Sequence, residues 1–278
     1  MRSFCRRLIG ALSHSNRVPD WCGPVADDKA TPVLLDPVAG YQAWAAEYPP
    51  YAHNPFMKAE ERALLPLLPK DLSGKFVLDA GCGTARYLIH ALNRGAASIV
   101  GIDQSAEMLR RARAELAALN AGNVTDGYRT GIAGSAIDRA GSELQLLLAS
   151  LENLPLPDQW ADLTICALTI GHLPTLRPAL AELRRVTKAG GAILCSDFHP
   201  AGHALGWQRT FSVNGRCYGV RHTAHYHSDW QQACAALGLE IVRVLEPHLD
   251  PADIPYTASF DVAALSVPVA IVYQLLRT

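Results

Sequence analysis

The chain has 278 residues, 49% apolar and 18% charged, a balance that excludes a disordered or low-complexity protein. Lys plus Arg number 25 and Asp plus Glu 26, so no global basic field draws it to nucleic acid or to an anionic membrane, and no run reaches the roughly 18–20 apolar residues of a membrane span. The seven cysteines are scattered without a C-x-x-C pair, which argues for a reducing compartment and against a zinc ribbon or disulfide scaffold.

In chain order, residues 1–40 read as an irregular N-terminal extension interrupted by Pro19, Pro24, Pro32 and Pro37. Its first nineteen residues carry Arg2, Arg6, Arg7 and Arg17 and no acid, a composition common to frayed ends and organellar transit peptides. Residues 41–70 are expected to form a helical lid in two pieces around Pro49-Pro50. Its second piece turns Ala63, Leu64, Leu67 and Leu68 inward and Glu60, Glu61 and Arg62 outward.

The pattern then changes to alternating strand and helix. Residues 75–80 (KFVLDA) form a strand that runs into the turn Gly81-Cys82-Gly83-Thr84, followed by a helix ended by Gly95. Residues 97–102 form a second strand closed by Asp103, and Ser105 caps the helix behind it. Residues 121–142 read as a loop or short insertion. Further strands are expected at 144–148, 161–168 and 192–196, with a helix over 177–187 and Gly190-Gly191 ending the segment that follows it. Strand–helix alternation of this kind gives parallel βαβ units with right-handed crossovers. Beyond it, 216–225 and 240–246 read as strands around a helix at 228–237, with a last strand over 267–275, a mixed edge to the sheet. The whole of 41–278 is one α/β domain on this reading, with a core at 75–197 and an acceptor-side segment and mixed edge at 198–278.

In such a sheet, ligands bind beyond the carboxyl ends of the strands. A dinucleotide needs G-x-G-x-x-G there, but Gly81-Cys82-Gly83 is followed by Thr84-Ala85-Arg86, without the third glycine. Asp79 before the turn would repel a pyrophosphate and attract an ammonium group. The nucleoside S-adenosylmethionine, with an amino-acid end, a ribose and no phosphate, fits this turn and the strand-end Asp103 better than a nicotinamide cofactor does.

Val77–Arg86 (VLDAGCGTAR), Val100–Leu109 (VGIDQSAEML), Ser150–Asp158 (SLENLPLPD) and Ala179–Gly191 (ALAELRRVTKAGG) together resemble the successive motifs of class I S-adenosylmethionine-dependent methyltransferases, closest to the small-molecule type 11 group. The resemblance implies a Rossmann-like, doubly wound, mixed seven-stranded sheet with a reversed last strand, helices on both faces and an N-terminal helical cover. It implies methyl transfer from S-adenosyl-L-methionine, giving S-adenosyl-L-homocysteine. By position, Asp79, Gly81, Cys82 and Gly83 would line the methionine end and Asp103 the ribose. Gln104 and Met108 would flank the adenine, Ser150 and Leu151 would stand where the family has an Asp followed by Ala, and Leu168 would offer a backbone contact. Ala85 replaces a frequent glycine, tolerable where φ is negative.

His172 and His199, each just after a strand, are the candidate general bases. His225 and His227, two apart, would share a strand face, and with His199, His203 and His222 they read as a polar edge rather than a metal site. Tyr48-Pro49-Pro50-Tyr51 reads as a helix break, and Tyr41, Trp44 and Tyr48 as lid residues. Trp207, Phe211 and Tyr218 are expected to wall a pocket for a small organic acceptor, methylated most readily on oxygen. The expected setting is cytoplasmic, without nucleic-acid or membrane partners. A protein that binds the cofactor without transferring a methyl group is the alternative reading.

Overall fold

The structure, a computed structural model, describes residues 32–120, 134–137, 143–254 and 262–278. The described chain opens with β1 (Val33–Leu35), α1 (Pro37–Trp44) and α2 (Pro55–Leu64). The irregular extension therefore ends earlier than residue 40. Asp36 caps α1 by accepting the Ala39 amide at 3.0 Å, and Pro37 sits in the first helical turn, where its missing N–H costs nothing. Asn54 and Pro55 repeat this arrangement at α2, with Met57 N–H donating to Asn54 at 2.8 Å.

Strands and helices then alternate: β2 (Phe76–Ala80), α3 (Arg86–Leu92), β3 (Ser98–Asp103), α4 (Ala106–Asn120), β4 (Gly134–Ile137), β5 (Glu143–Leu148), β6 (Ala161–Ala167), α5 (Arg177–Val186) and β7 (Thr187–Phe198). After these come α6 (Pro200–Ala204), β8 (Arg209–Val213), β9 (Arg216–Val220), α7 (His227–Leu237), β10 (Leu239–Leu245) and β11 (Ala270–Arg277). The main sheet has the order β10-β11-β7-β6-β2-β3-β5-β4. Its five central strands are parallel, and β11 runs antiparallel to both β7 and β10. The seven strands of the expected mixed sheet are all here, and β4, antiparallel to β5, adds an eighth within the stretch read as a loop. The remainder of 121–142 lies outside the described residues, as do residues 1–31.

Two apolar layers fill the faces of this sheet, one around Leu180, Ile193 and Trp230, the other around Leu88, Ile99 and Leu116. A third packs the N-terminal cover onto the end of β7, where Phe56 stacks on Phe198 at 4.1 Å between ring centroids. β7 begins at Thr187 rather than 192, so Gly190 and Gly191 lie inside a strand. A register shift against β6 between Ala161 and Leu163 takes up the irregularity.

The segment 216–225 does not join the main sheet. β8 and β9 form a hairpin whose turn, Asn214-Gly215, has φ of +51° and +73°, the mirror-image turn that matches strand twist. β1 pairs parallel to β9, closing a three-stranded sheet over the cover. The chain ladders outward from β2 through β3 to β5 on one side and from β6 to β7 on the other. The crevice between the carboxyl ends of β2 and β6 is thus the switch point of the fold. No helix among the described residues is long and apolar enough to cross a membrane.

Candidate active site

The turn after β2 is shaped by its neighbours. Gly81 has φ of +84°, and a Cβ there would lie 2.3 Å from the Thr169 side chain, so both conformation and space demand glycine. The Gly81 and Cys82 amides both donate to Ile102 O, at 2.6 and 2.9 Å, fastening the turn to β3. Thr84 donates from its hydroxyl to Pro49 O at 3.0 Å and ties the turn to the cover, so this prolyl carbonyl serves the loop. Ala85 has φ of +83°, so the condition under which a methyl group is tolerable there is not met and it sits in the left-handed region.

Two carboxylates face the crevice. Asp79 is 2% exposed, and its Oδ2 has no hydrogen-bond partner among the described residues. Burial raises its pKa to about 7 against the opposing pull of Arg86. Asp103 Oδ1 accepts from Ser105 N–H at 2.8 Å and Oδ2 from Gly83 N–H at 2.9 Å. Burial nonetheless holds its pKa above the ordinary value. Each Asp103 oxygen keeps capacity for a further donor.

Arg86 also lines the crevice, matched by Glu60 at 2.8 Å. Glu60, expected to face outward, is fully buried. Arg86, Tyr87 (2.9 Å) and Ser196 (2.6 Å) all donate to it, which is what allows a carboxylate there.

On the side toward the cover, His172 sits in the single helical turn Ile170–His172 after β6. Burial, with the charges of Arg209 and His222 adding, lowers its pKa to about 3, so the ring is neutral. Its Nδ1–H donates to Arg221 O at 3.0 Å, which leaves Nε2 to accept from the Tyr41 hydroxyl at 2.9 Å. Burial pushes the Tyr41 phenol well above its usual range, so it remains a donor. A ring this hard to protonate is poorly matched to taking a proton near neutral pH. The geometry gives His172 the place of a hydrogen-bond acceptor rather than that of a general base.

Behind it, Asp197 Oδ1 meets His222 Nε2 at 2.7 Å, and His222 Nδ1 meets His203 Nε2 at 2.7 Å. Burial opposes the charge on Asp197. The His222 ring and the Phe198 amide outweigh it and hold the carboxyl below its ordinary range. Gly171 makes room for this pair, since a Cβ there would lie 2.1 Å from His222 Nε2.

The crevice, counted together with the open solvent at its mouth, spans about 900 Å3. Of the predicted residues, Asp79, Gly81, Cys82, Gly83, Asp103, Gln104, Met108, Leu151, Leu168 and His172 border it. Ser150 does not; its hydroxyl accepts from Glu152 N–H at 3.2 Å. His199 does not either, which corrects its candidacy as a base. Its Nδ1 caps α6 by accepting from Ala201 N–H at 3.1 Å, and its Nε2 meets Glu246 at 3.0 Å.

Trp207, Phe211 and Tyr218 leave the wall to Arg209, Tyr41 and Tyr48. Trp207 packs in the third core, and Phe211 stacks between Trp44 and Tyr218. His225 and His227 share no strand face, because His225 bonds Leu173 O from a loop while His227 opens α7. Arg209 was missed. The one signal for it was its position midway between Trp207 and Phe211, an apolar alternation that turns it inward.

Residues 78–195 match the family described as a methyltransferase domain. A malonyl-[acyl-carrier protein] O-methyltransferase of Yersinia pestis is 30% identical over 165 residues, which cover 59% of this chain and 52% of that protein. An uncharacterized protein of Haemophilus influenzae is 47% identical over 168 residues, 59% of each chain. The chain spans about half the length of the curated relatives it matches. Among solved structures, an S-adenosylmethionine dependent methyltransferase from Mesorhizobium loti shares the fold, with a TM-score of 0.55 over 79% of this chain and 98% of that one at 22% identity.

Proposed function

Taking residues 78–195 as a member of the methyltransferase domain family, we propose that the protein transfers the methyl group of S-adenosyl-L-methionine to an oxygen of a small organic acceptor. The observation that carries this reading is the unpartnered, buried Oδ2 of Asp79 beside a glycine turn. A buried carboxylate oxygen without a donor is costly, and an ammonium group from the methionine end of the cofactor would relieve that cost. Asp103, the last residue of β3, retains lone pairs for a ribose diol, while Met108 and Leu151 offer apolar walls for the adenine. Two buried carboxylates on one crevice disfavour the pyrophosphate of a dinucleotide.

When bound, the cofactor supplies an electrophilic sulfonium methyl group. The chain's own part is to position the acceptor against it. Tyr41, Tyr48, His172 and Arg209, brought in by the cover, the turn after β6 and β8, border the crevice next to Leu168 and form the acceptor side. Oxygen as the receiving atom is supported by the relatives whose names specify O-methyl transfer.

Calorimetric titration with S-adenosyl-L-homocysteine and with NAD tests the reading. Saturable binding of the first alone is expected; binding of NAD in its place, or of neither, refutes it.

A further inference from the structure

We propose that Arg209 anchors a carboxylate on the acceptor, so that the molecule methylated is an organic acid. This rests on the function proposed above and goes further by naming the substrate class.

Arg209 is 7% exposed, yet no described carboxylate lies within 4.0 Å of its guanidinium. Its described hydrogen bonds go to neutral groups: Nη1 donates to Leu168 O at 3.3 Å and Nη2 to the Tyr48 hydroxyl at 3.0 Å. A guanidinium has five N–H donors in a planar fork, so most of its capacity is unspent. The rings of Tyr41, Trp44 and Phe198 surround it, with centroids 5.2, 5.9 and 5.7 Å from Cζ. Ring faces favour a cation without neutralising it.

The contrast with Arg86 sharpens the point. That residue is as deeply buried and borders the same crevice, but Glu60 and Glu61 match its charge. Asp197, the acid whose charge bears on Arg209, is already engaged by His222 and the Phe198 amide. A buried, uncompensated cation is expensive, and its fork complements a carboxylate in two parallel hydrogen bonds. Its position beside Leu168, at the end of β6, sets such a carboxylate next to the expected methionine end of the cofactor. There the charge of an incoming acid and that of the sulfonium attract.

The cofactor has a carboxylate of its own, so the test separates the two sources. Protein saturated with S-adenosyl-L-homocysteine is titrated with hexanoate and with hexanamide, its uncharged counterpart. Hexanoate is expected to bind at least tenfold more tightly. Arg209→Met should erase that difference while leaving S-adenosyl-L-homocysteine affinity within threefold; Arg209→Gln serves if the Met variant does not fold.

Equal binding of the two probes by the unaltered protein overturns the proposal, as does a preference that survives the substitution. A tenfold loss of S-adenosyl-L-homocysteine affinity with 5′-methylthioadenosine affinity unchanged also overturns it, by assigning Arg209 to the cofactor's carboxylate. Failure of the unaltered protein to bind S-adenosyl-L-homocysteine at the outset would instead refute the proposed function.

Discussion

The Tyr41 hydroxyl donates to His172 Nε2 at 2.9 Å across 131 residues of sequence, and this bond clasps the N-terminal cover to the loop after β6. It requires an uncharged ring, because a protonated Nε2 could not accept. The burial that lowers the ring's pKa and the hydrogen bond that uses its lone pair therefore reinforce each other.

That coupling predicts a pH dependence. His172 titrates near 6.5 in the unfolded chain and near 3 in the fold. Its depressed value means that its own contribution to stability is complete above pH 6.5 and is lost progressively as pH falls toward 3, a range in which the unfolded state alone takes up the proton. Because Asp79 contributes in the opposite sense over the same range, the loss is read as a difference: the urea unfolding free energy of the parent minus that of His172→Gln should fall from pH 7 through 5.5 to 4.5. Asp197, held below its ordinary value, adds its own acid loss only at lower pH.

Asp79 is expected to trade stability for binding. Its folded pKa of about 7 lies above the unfolded 3.8, so the penalty for its charge is absent below pH 3.8 and grows as pH rises through 7. Asp79→Asn should raise the Tm of the ligand-free protein by several degrees at pH 8 and by little at pH 4. The same variant should lose S-adenosyl-L-homocysteine affinity by more than tenfold in calorimetry.

Asp103→Ala removes the acceptor proposed for the ribose and releases the Gly83 and Ser105 amides. The expected cost is at least tenfold in S-adenosyl-L-homocysteine affinity, about 1.4 kcal/mol or more. Unchanged affinity would remove Asp103 from the site.

The glycine turn gives opposite expectations at neighbouring positions. Ala85→Gly relieves roughly 1–2 kcal/mol of left-handed strain and gives up one buried methyl group worth about 0.8 kcal/mol, so a small gain in unfolding free energy is expected. Gly81→Ala adds strain and drives a methyl group into Thr169, and should destabilise by more than about 2 kcal/mol. Denaturant titration of both variants decides.

What the sequence by itself determined is what short stretches encode. Apolar runs such as Phe76–Ala80 and Ser98–Asp103 mark buried strands. Gly81 and Gly83 mark a turn that other residues cannot make, and Ser105 marks the helix start it caps, accepting the Met108 amide at 3.3 Å. From these follow the parallel sheet, its carboxyl-end crevice and the two strand-end acids that face it.

Tertiary structure alone decided which polar groups meet. Periodicity separates inside from outside but carries no address, so Glu60 read as solvent-facing until Arg86, Tyr87 and Ser196 were found around it. His172 and His199 are equivalent as residues following strands. Only packing put one under Tyr41 and gave the other to a helix cap and Glu246. Arg209 reached the crevice because β8 and β9 left the main sheet to pair with β1, an association between residues nearly two hundred positions apart. Such contacts arise from burying apolar faces against one another, and the charge carried along with them is positioned by that burial rather than by any local pattern.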